Sequence, residues 1–418
     1  MHLVYCNEES QVFDHPAYAP AFREGRGFCK VRKPDLVALP YGSLIFSLPG
    51  RIPIYFDSKR GDFIALEKIG SQKVWAAASF LSSGYLRTYL PAYQTGPKVP
   101  LLSLWAYGGV VFMDDGFYVP AIRIDDDIRS DPEIHENDPA LKRRIKTLTN
   151  QYPKNRLVKQ LALCASEYRC LCARNFFLER FEVPVPTTPS CNAKCLGCLS
   201  HQDEKAGFKP SQNRLAFKPT PEEITEVILH HFKHVKKPIA SFGQGCEGEP
   251  ILRGKDLAKA IKLVRAKTDQ GTININTNGS LPEMVGLLIE SGLDSIRISV
   301  NSLNPRYYSS YYKPVGYTFD DVLRSIDIAL TAGIFVSMNL FFLPGVTDSE
   351  HEVKTLVNFL RKFPISMLQT RNLNIDPDFY MDSIDFKDSK PLGIKNLIKD
   401  LKKGFPQLKL GYYNPALR

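Results

Sequence analysis

Three thiols crowd one short stretch, Cys191-Asn192-Ala193-Lys194-Cys195-Leu196-Gly197-Cys198. The spacing C-x-x-x-C-x-x-C lets three soft ligands wrap one metal centre. A [4Fe–4S] cluster is held by thiolates, normally four. Three leave one iron open to an exogenous ligand. A zinc ion completed by the nearby His201 would use similar donors. Structural zinc sites usually add a second, distant C-x-x-C, and this chain has none.

Further polar motifs follow in order. Gly243-Gln244-Gly245-Cys246-Glu247-Gly248-Glu249-Pro250 is a glycine-rich turn in which backbone can approach a ligand closely. Thr277-Asn278-Gly279 closes a strand-like run that contains Asn276. In Ser295–Val300 and just beyond, alternation sets Arg297, Ser299 and Asn301 on one face and Ile296, Ile298 and Val300 on the other. Arg371, Asn372, Asn374 and Asp376 form a last polar cluster. From about Phe181 to Asp378 this series resembles the radical SAM superfamily.

That resemblance implies that Cys191, Cys195 and Cys198 hold a [4Fe–4S] cluster and that S-adenosylmethionine chelates its open iron. By the same similarity, Gly248, Glu249 and Pro250 should bind the methionyl amino group, with Glu249 or Glu247 accepting its hydrogen bond. Asn276 and Asn278, with Ser299 or Asn301, are candidates for the ribose, and Arg297 for the carboxylate. Arg371, Asn372 and Asn374 could meet substrate, or could order a loop through their own hydrogen bonds. Cys246 is either a reactive thiol beside the cofactor or filler in a tight turn. Many superfamily members carry an aromatic residue just before the third cysteine; Gly197 stands there, so adenine needs other packing. The chain has no cysteine beyond Cys246, unlike relatives with auxiliary clusters in a C-terminal extension.

The elements that must position these residues alternate. Strands are expected at 181–186, Ile239–Phe242, Thr272–Asn276, Ser295–Val300, Phe335–Phe341 and Met367–Thr370. Helices are expected from Thr220, and over Leu257–Lys267, Glu283–Ser291, Phe319–Ala332 and Ser349–Lys362. Six such units predict a parallel sheet with helices outside, a partial (β/α)6 barrel with its chemistry at the strand C-termini. The α/β barrel is assigned to 181–380, with a C-terminal helix and tail over 381–418. Residues 1–125 read as a β-rich domain, although Lys73–Leu81 has the composition of a helix. Residues 126–180 read as an acidic linker ending near Asp138-Pro139, then two basic helices divided by Pro153. Within them Cys164, Cys170 and Cys172 do not converge while the segment stays helical; a second cluster there requires the helix to break. His230 and His234 share a helix face with no third ligand evident, which reads as a solvated face.

A chain of 418 residues is long for one core and suggests two domains. An apolar fraction of 44% with 23% charged residues, and no apolar run of membrane length, excludes a helical membrane protein. Nine cysteines and no leader-like N-terminus set the expectation of reduced thiols in the cytoplasm. A net charge of +10 permits nucleic acid or another acidic partner, and the basic helices, with Lys142, Arg143 and Arg144, read either as solvated faces that connect the domains or as a surface that docks RNA. The competing expectation is a peptide or small molecule presented by the N-terminal domain. Reductive chemistry would also need a low-potential donor such as flavodoxin or ferredoxin. A protein that only binds or senses through an iron–sulfur cluster is the non-enzymatic alternative.

Overall fold

The computed structural model describes residues 1–135, 138–387 and 389–418. Its organising element is a seven-stranded, all-parallel sheet whose strands neighbour one another in chain order. They run Glu182–Val185, Ile239–Phe242, Thr272–Thr277, Ser295–Val300, Phe335–Phe342, Met367–Asn372 and Lys409–Gly411. The first six are those expected from the sequence. The seventh lies in the stretch expected to be tail, and pairs with the sixth through Leu368↔Leu410. Only three residues long, it carries too little periodicity to be read from sequence alone.

Three helices precede the sheet: α1 (Asp138–Gln151), α2 (Arg156–Ser166) and α3 (Leu171–Phe177). The expected pair is thus three, because the chain breaks again after Ser166 as well as at Pro153. Glu136 and Asn137, within the expected acidic linker, lie outside the described residues. Between and after the strands come α4 (Pro221–His234), α5 (Gly254–Arg265), α6 (Pro282–Glu290), α7 (Pro305–Tyr312), α8 (Phe319–Thr331), α9 (Glu350–Lys362), α10 (Pro377–Ser383) and α11 (Ile394–Gly404). α4 starts where a capping box dictates: Thr220 Oγ1 accepts from Glu223 N, and the Glu223 carboxylate accepts from Thr220 N. The central strands are buried on both faces, as a parallel sheet covered by helices requires. One apolar core runs from Leu86 and Leu90 through α2 and the barrel to Leu401.

The N-terminal region is antiparallel sheet, the largest part having eight strands. Lys73–Leu81 does not form a helix. Trp75–Phe80 is a strand paired with Leu44–Leu48. Ala77 packs into one apolar cluster, while Ala76 and Ala78 pack into another. Burial on two faces therefore outweighs the helix preference of the alanines. Among the described residues no helix is long and apolar enough to cross a membrane.

This β-rich region sits on the C-terminal ends of the fifth and sixth barrel strands. Gly25 N donates to Pro344 O at 2.9 Å, and at Gly345 (φ +86°) a side chain would overlap the Gly25 backbone. Arg51 and Asp376, both about 95% buried, are paired at 3.2 Å, and Arg23 meets Asp378 at 2.9 Å. Arg87 donates to Leu373 O at 2.9 Å.

Candidate functional site

The strand ends and the N-terminal region enclose a cavity of about 600 Å³. Its floor is the cysteine loop. This loop follows the first strand and is clamped by α7: Leu196 N donates to Tyr311 O at 3.0 Å and Lys194 N to Tyr312 O at 2.9 Å. All three thiols line the cavity. Burial pushes Cys191 up to about 11 and Cys195 well above the ordinary thiol value. Arg214 Nη2 donates to Cys198 Sγ at 3.3 Å, while the same guanidinium reaches Ser200 Oγ and Pro189 O. This arginine was not foreseen; it lies sixteen residues beyond the motif, with no local pattern to mark it.

The two glutamates of the glycine-rich turn hold the loops together. Glu247 accepts from Thr187 N (2.6 Å), Thr187 Oγ1 (2.8 Å), Thr188 N (3.2 Å), Gly243 N (2.8 Å) and Gln244 N (2.8 Å). It thereby ties the approach to the cysteine loop to the end of the second strand. Glu249 accepts from Ile251 N, Thr277 Oγ1 (2.6 Å) and Asn278 N (2.8 Å), joining the second and third strand ends. Burial raises each carboxyl to about 7 against these donors. Gly248 is required sterically, since a Cβ there would overlap the Ser190 carbonyl. Gly248, Glu249 and Pro250 all reach the cavity wall.

Asn276, Asn278, Arg297 and Ser299 also line the cavity. Asn276 and Asn278 already bond to Gly243 O and Asn192 Oδ1, each at 2.9 Å. Arg297 Nη1 donates to Gln369 Oε1 at 3.1 Å, but its Nε has no partner among the described residues. Burial, aided by Arg371, lowers this guanidinium to about 10. Asn339, unforeseen, joins them by donating to Ser299 Oγ at 3.3 Å. Its Oδ1 is buried and unpartnered, as is Tyr312 Oη. Unsatisfied buried polar atoms on a cavity wall mark where a polar ligand fits.

Two of the candidates lie off the cavity wall. Asn301 does not line the cavity; its amide donates to Tyr307 O and Tyr380 Oη, both at 3.1 Å. The fourth strand ends at Val300, so the alternation that aims Arg297 and Ser299 inward no longer applies one residue later. Cys246 does not line the cavity either; its thiol is partnered by that of Cys164 on α2. Of the polar cluster after the sixth strand, Arg371, Asn372 and Asn374 reach the cavity. Asn372, however, bonds to Arg87 N and Tyr85 O of the N-terminal region. Arg371 lies 3.5 Å from the centre of the Tyr412 ring and donates to Tyr412 O.

The aromatic residue absent at 197 comes from elsewhere. A Cβ on Gly197 would stand 2.7 Å from Tyr311 Oη, so glycine makes room for a tyrosine supplied by α7. Tyr311, Tyr312 and Phe341 all face the cavity.

Residues 185–357 match the sequence profile of the Radical SAM superfamily. They form a radical SAM domain. The cofactors of that superfamily are a [4Fe–4S] cluster and S-adenosylmethionine, and the donor set fits them: three thiols, a cation on one of them, and unsatisfied polar atoms across the cavity. A probable GTP 3′,8-cyclase of Methanosarcina mazei is 27% identical over 207 residues, 49% of this chain and 58% of that protein. A GTP 3′,8-cyclase of Acidothermus cellulolyticus is 29% identical over 184 residues, 43% of this chain and 48% of that one. The chain thus spans about half the length of the curated relatives it matches. Among solved structures, the [FeFe]-hydrogenase maturase HydG shares 16% identity at a TM-score of 0.39, covering 69% of this chain and 66% of that one. AdoMet-bound anSMEcpe shares 18% at 0.36, covering 46% and 52%.

The helix-borne histidines differ from expectation. His230 and His231 are buried rather than solvated. His230 and His234 do find a third neighbour, Glu179, but its carboxylate pairs with Arg144 at 2.7 and 2.9 Å.

Proposed function

We propose that the chain is a radical SAM enzyme in which residues 1–125 cap a barrel over 181–380, joined by a connector over 126–180 and completed by 381–418. The observation that carries this reading is the placement of Cys191, Cys195 and Cys198 on the floor of a chamber roofed by Phe80, Ser82, Ser83 and Tyr85. When bound, the cluster and S-adenosylmethionine supply one-electron reductive cleavage and a 5′-deoxyadenosyl radical able to abstract hydrogen. The chain's own part is positioning and exclusion. Arg214 donates a hydrogen bond to the Cys198 sulfur, while Glu247 and Glu249 hold the loops in register. Arg297, whose Nε has no partner among the described residues, would meet the methionine carboxylate, and Ser299 with Asn339 the ribose. Tyr311 and Phe341 offer aromatic faces for adenine. The roof keeps water from a reactive species.

The same geometry favours a small, anionic substrate over RNA or a peptide. Arg371 and Asn374 face the chamber. Part of the basic surface is already neutralised, with Arg144 on Glu179 and Arg156 on Glu223. The relatives are GTP 3′,8-cyclases, and cyclisation of GTP agrees with an anionic substrate. A reduced cytoplasmic setting and a flavodoxin- or ferredoxin-type donor suit the thiols.

Anaerobically reconstituted protein with dithionite and S-adenosylmethionine should form 5′-deoxyadenosine, measured by mass spectrometry. Cys191→Ala, Cys195→Ala and Cys198→Ala should each abolish it. Undiminished cleavage in any of the three overturns the assignment, and a wild-type cluster that never cleaves S-adenosylmethionine identifies a binding or sensing protein instead.

A further inference from the structure

Four of the remaining cysteines are distant in sequence but neighbours in space. The break after α2 brings them together. α2 ends at Ser166, Arg169 adopts a left-handed conformation (φ +51°), and Cys170 caps α3. The turn closes with Cys170 N donating to Cys164 O at 3.0 Å. The Cys170 thiol thus meets the Cys172 thiol at the head of α3, and Cys164 meets Cys246 from the turn after the second barrel strand. Cys170 is close enough for its charge to act on both Cys164 and Cys246. The Cys246 backbone is anchored, its carbonyl accepting from Leu215 N at 2.7 Å.

We propose that Cys164, Cys170, Cys172 and Cys246 together hold a second metal centre, an iron–sulfur cluster, beside the radical SAM site. Four thiolates complete the ligand set of such a cluster and leave no iron open, in contrast to the three-cysteine loop. The surroundings supply the outer interactions that thiolate ligands need. Gln160 Nε2 donates to Cys164 Sγ at 3.3 Å, the N–H groups of Cys172 and Ala173 point at Cys170, and the positive charges of Arg174 and Arg297 act on Cys170 and Cys172. Spacing favours iron–sulfur over zinc. A single zinc ion with bonds of about 2.3 Å draws its four sulfurs to about 3.8 Å of one another. Among the described residues no three of these thiols lie within 4.8 Å of one another; they stand as two pairs. Cys172 also lines the cavity that holds Cys191, Cys195 and Cys198, so the two centres share one chamber.

The site goes beyond the S-adenosylmethionine reading, and its test separates the two. Full-length protein isolated without oxygen should contain about six to eight iron with matching acid-labile sulfide per chain, four for the first loop and two or four for the second set. The Cys191→Ala/Cys195→Ala/Cys198→Ala variant should keep about two to four of each, and adding Cys172→Ser and Cys246→Ser should remove them. If instead only the first loop fails, wild type holds about two to four iron, lost with Cys172→Ser and indifferent to Cys195→Ala. Circular dichroism melts verify folding; should Cys246→Ser not fold, Cys172→Ser on the cavity wall decides alone. The proposal is overturned if the triple variant is free of iron, if Cys172→Ser leaves wild-type iron unchanged, if zinc replaces iron at one per chain, or if peptide mapping recovers a Cys164–Cys246 disulfide.

Discussion

Replacing Asp376 by alanine tests how the roof is fastened to the barrel. Asp376 Oδ2 accepts from Arg51 Nη2 at 3.2 Å and from Leu102 N at 3.0 Å, while Oδ1 caps α10 through Asp378 N at 3.0 Å. Both partners of the ion pair are about 95% buried. Removing one leaves the Arg51 guanidinium in the interior with only Pro49 O and Pro100 O to accept from it. Breaking such a pair costs about 3–5 kcal/mol. Loss of the cap adds about 1 kcal/mol. Against a total stability of about 5–15 kcal/mol this is a large fraction. At a urea slope of about 2–3 kcal/mol/M, the midpoint should fall by about 1.3–3 M. Both tryptophans, Trp75 and Trp105, lie in the N-terminal region, so their fluorescence reports the part that loosens. Asp382→Ala is the control: its pair with Arg26 is exposed and should change stability by about 0.5 kcal/mol or less. Arg51→Met combined with Asp376→Leu should recover most of the loss, because an apolar pair carries no desolvation cost. Equal midpoints for the Asp376 and Asp382 variants would refute the buried pair as a fastening.

Three further outcomes follow from particular contacts. Gly197→Ala puts a methyl 2.7 Å from Tyr311 Oη and should cost about 1–3 kcal/mol with loss of iron, while Tyr311→Phe in the same chain should restore iron content. Burial lowers His231 from 6.5 to about 4, so the unfolded chain binds the extra proton between those values. Stability is therefore intact above pH 6.5 and falls by up to about 1.4 kcal/mol per pH unit toward pH 4. Urea midpoints measured from pH 7 to 4.5 should show a shallower fall for His231→Gln. Arg214→Gln should leave the fold intact but speed oxygen-driven loss of iron, followed by the decay of visible absorbance, because Cys198 loses its cation.

Much of the barrel was legible from the chain because it rests on local rules. Parallel strands buried on both faces read as apolar runs of the right length, and Thr220, Pro221 and Glu223 announce α4 within four residues. The cysteine loop was legible for the same reason: its three thiols lie in one short loop of chain, so spacing alone brings them together. Alternation worked for Arg297 and Ser299 and stopped working at Asn301, where the strand stops. Helix propensity misread Lys73–Leu81, since small alanines suit a strand pressed between two apolar clusters.

What depends on residues far apart could only come from the assembled chain. The roof is made by contacts such as Arg51 with Asp376, more than three hundred residues apart, and neither residue carries a local signal. Tyr311 occupies the place left by Gly197, a substitution across elements that periodicity does not encode. The turn at Arg169 reverses the prospects of Cys164, Cys170 and Cys172. On one continuous helix they diverge, whereas a broken one folds them back to where the second strand delivers Cys246. Local interactions determine each element and the ligands within one loop; long-range packing determines which loops meet.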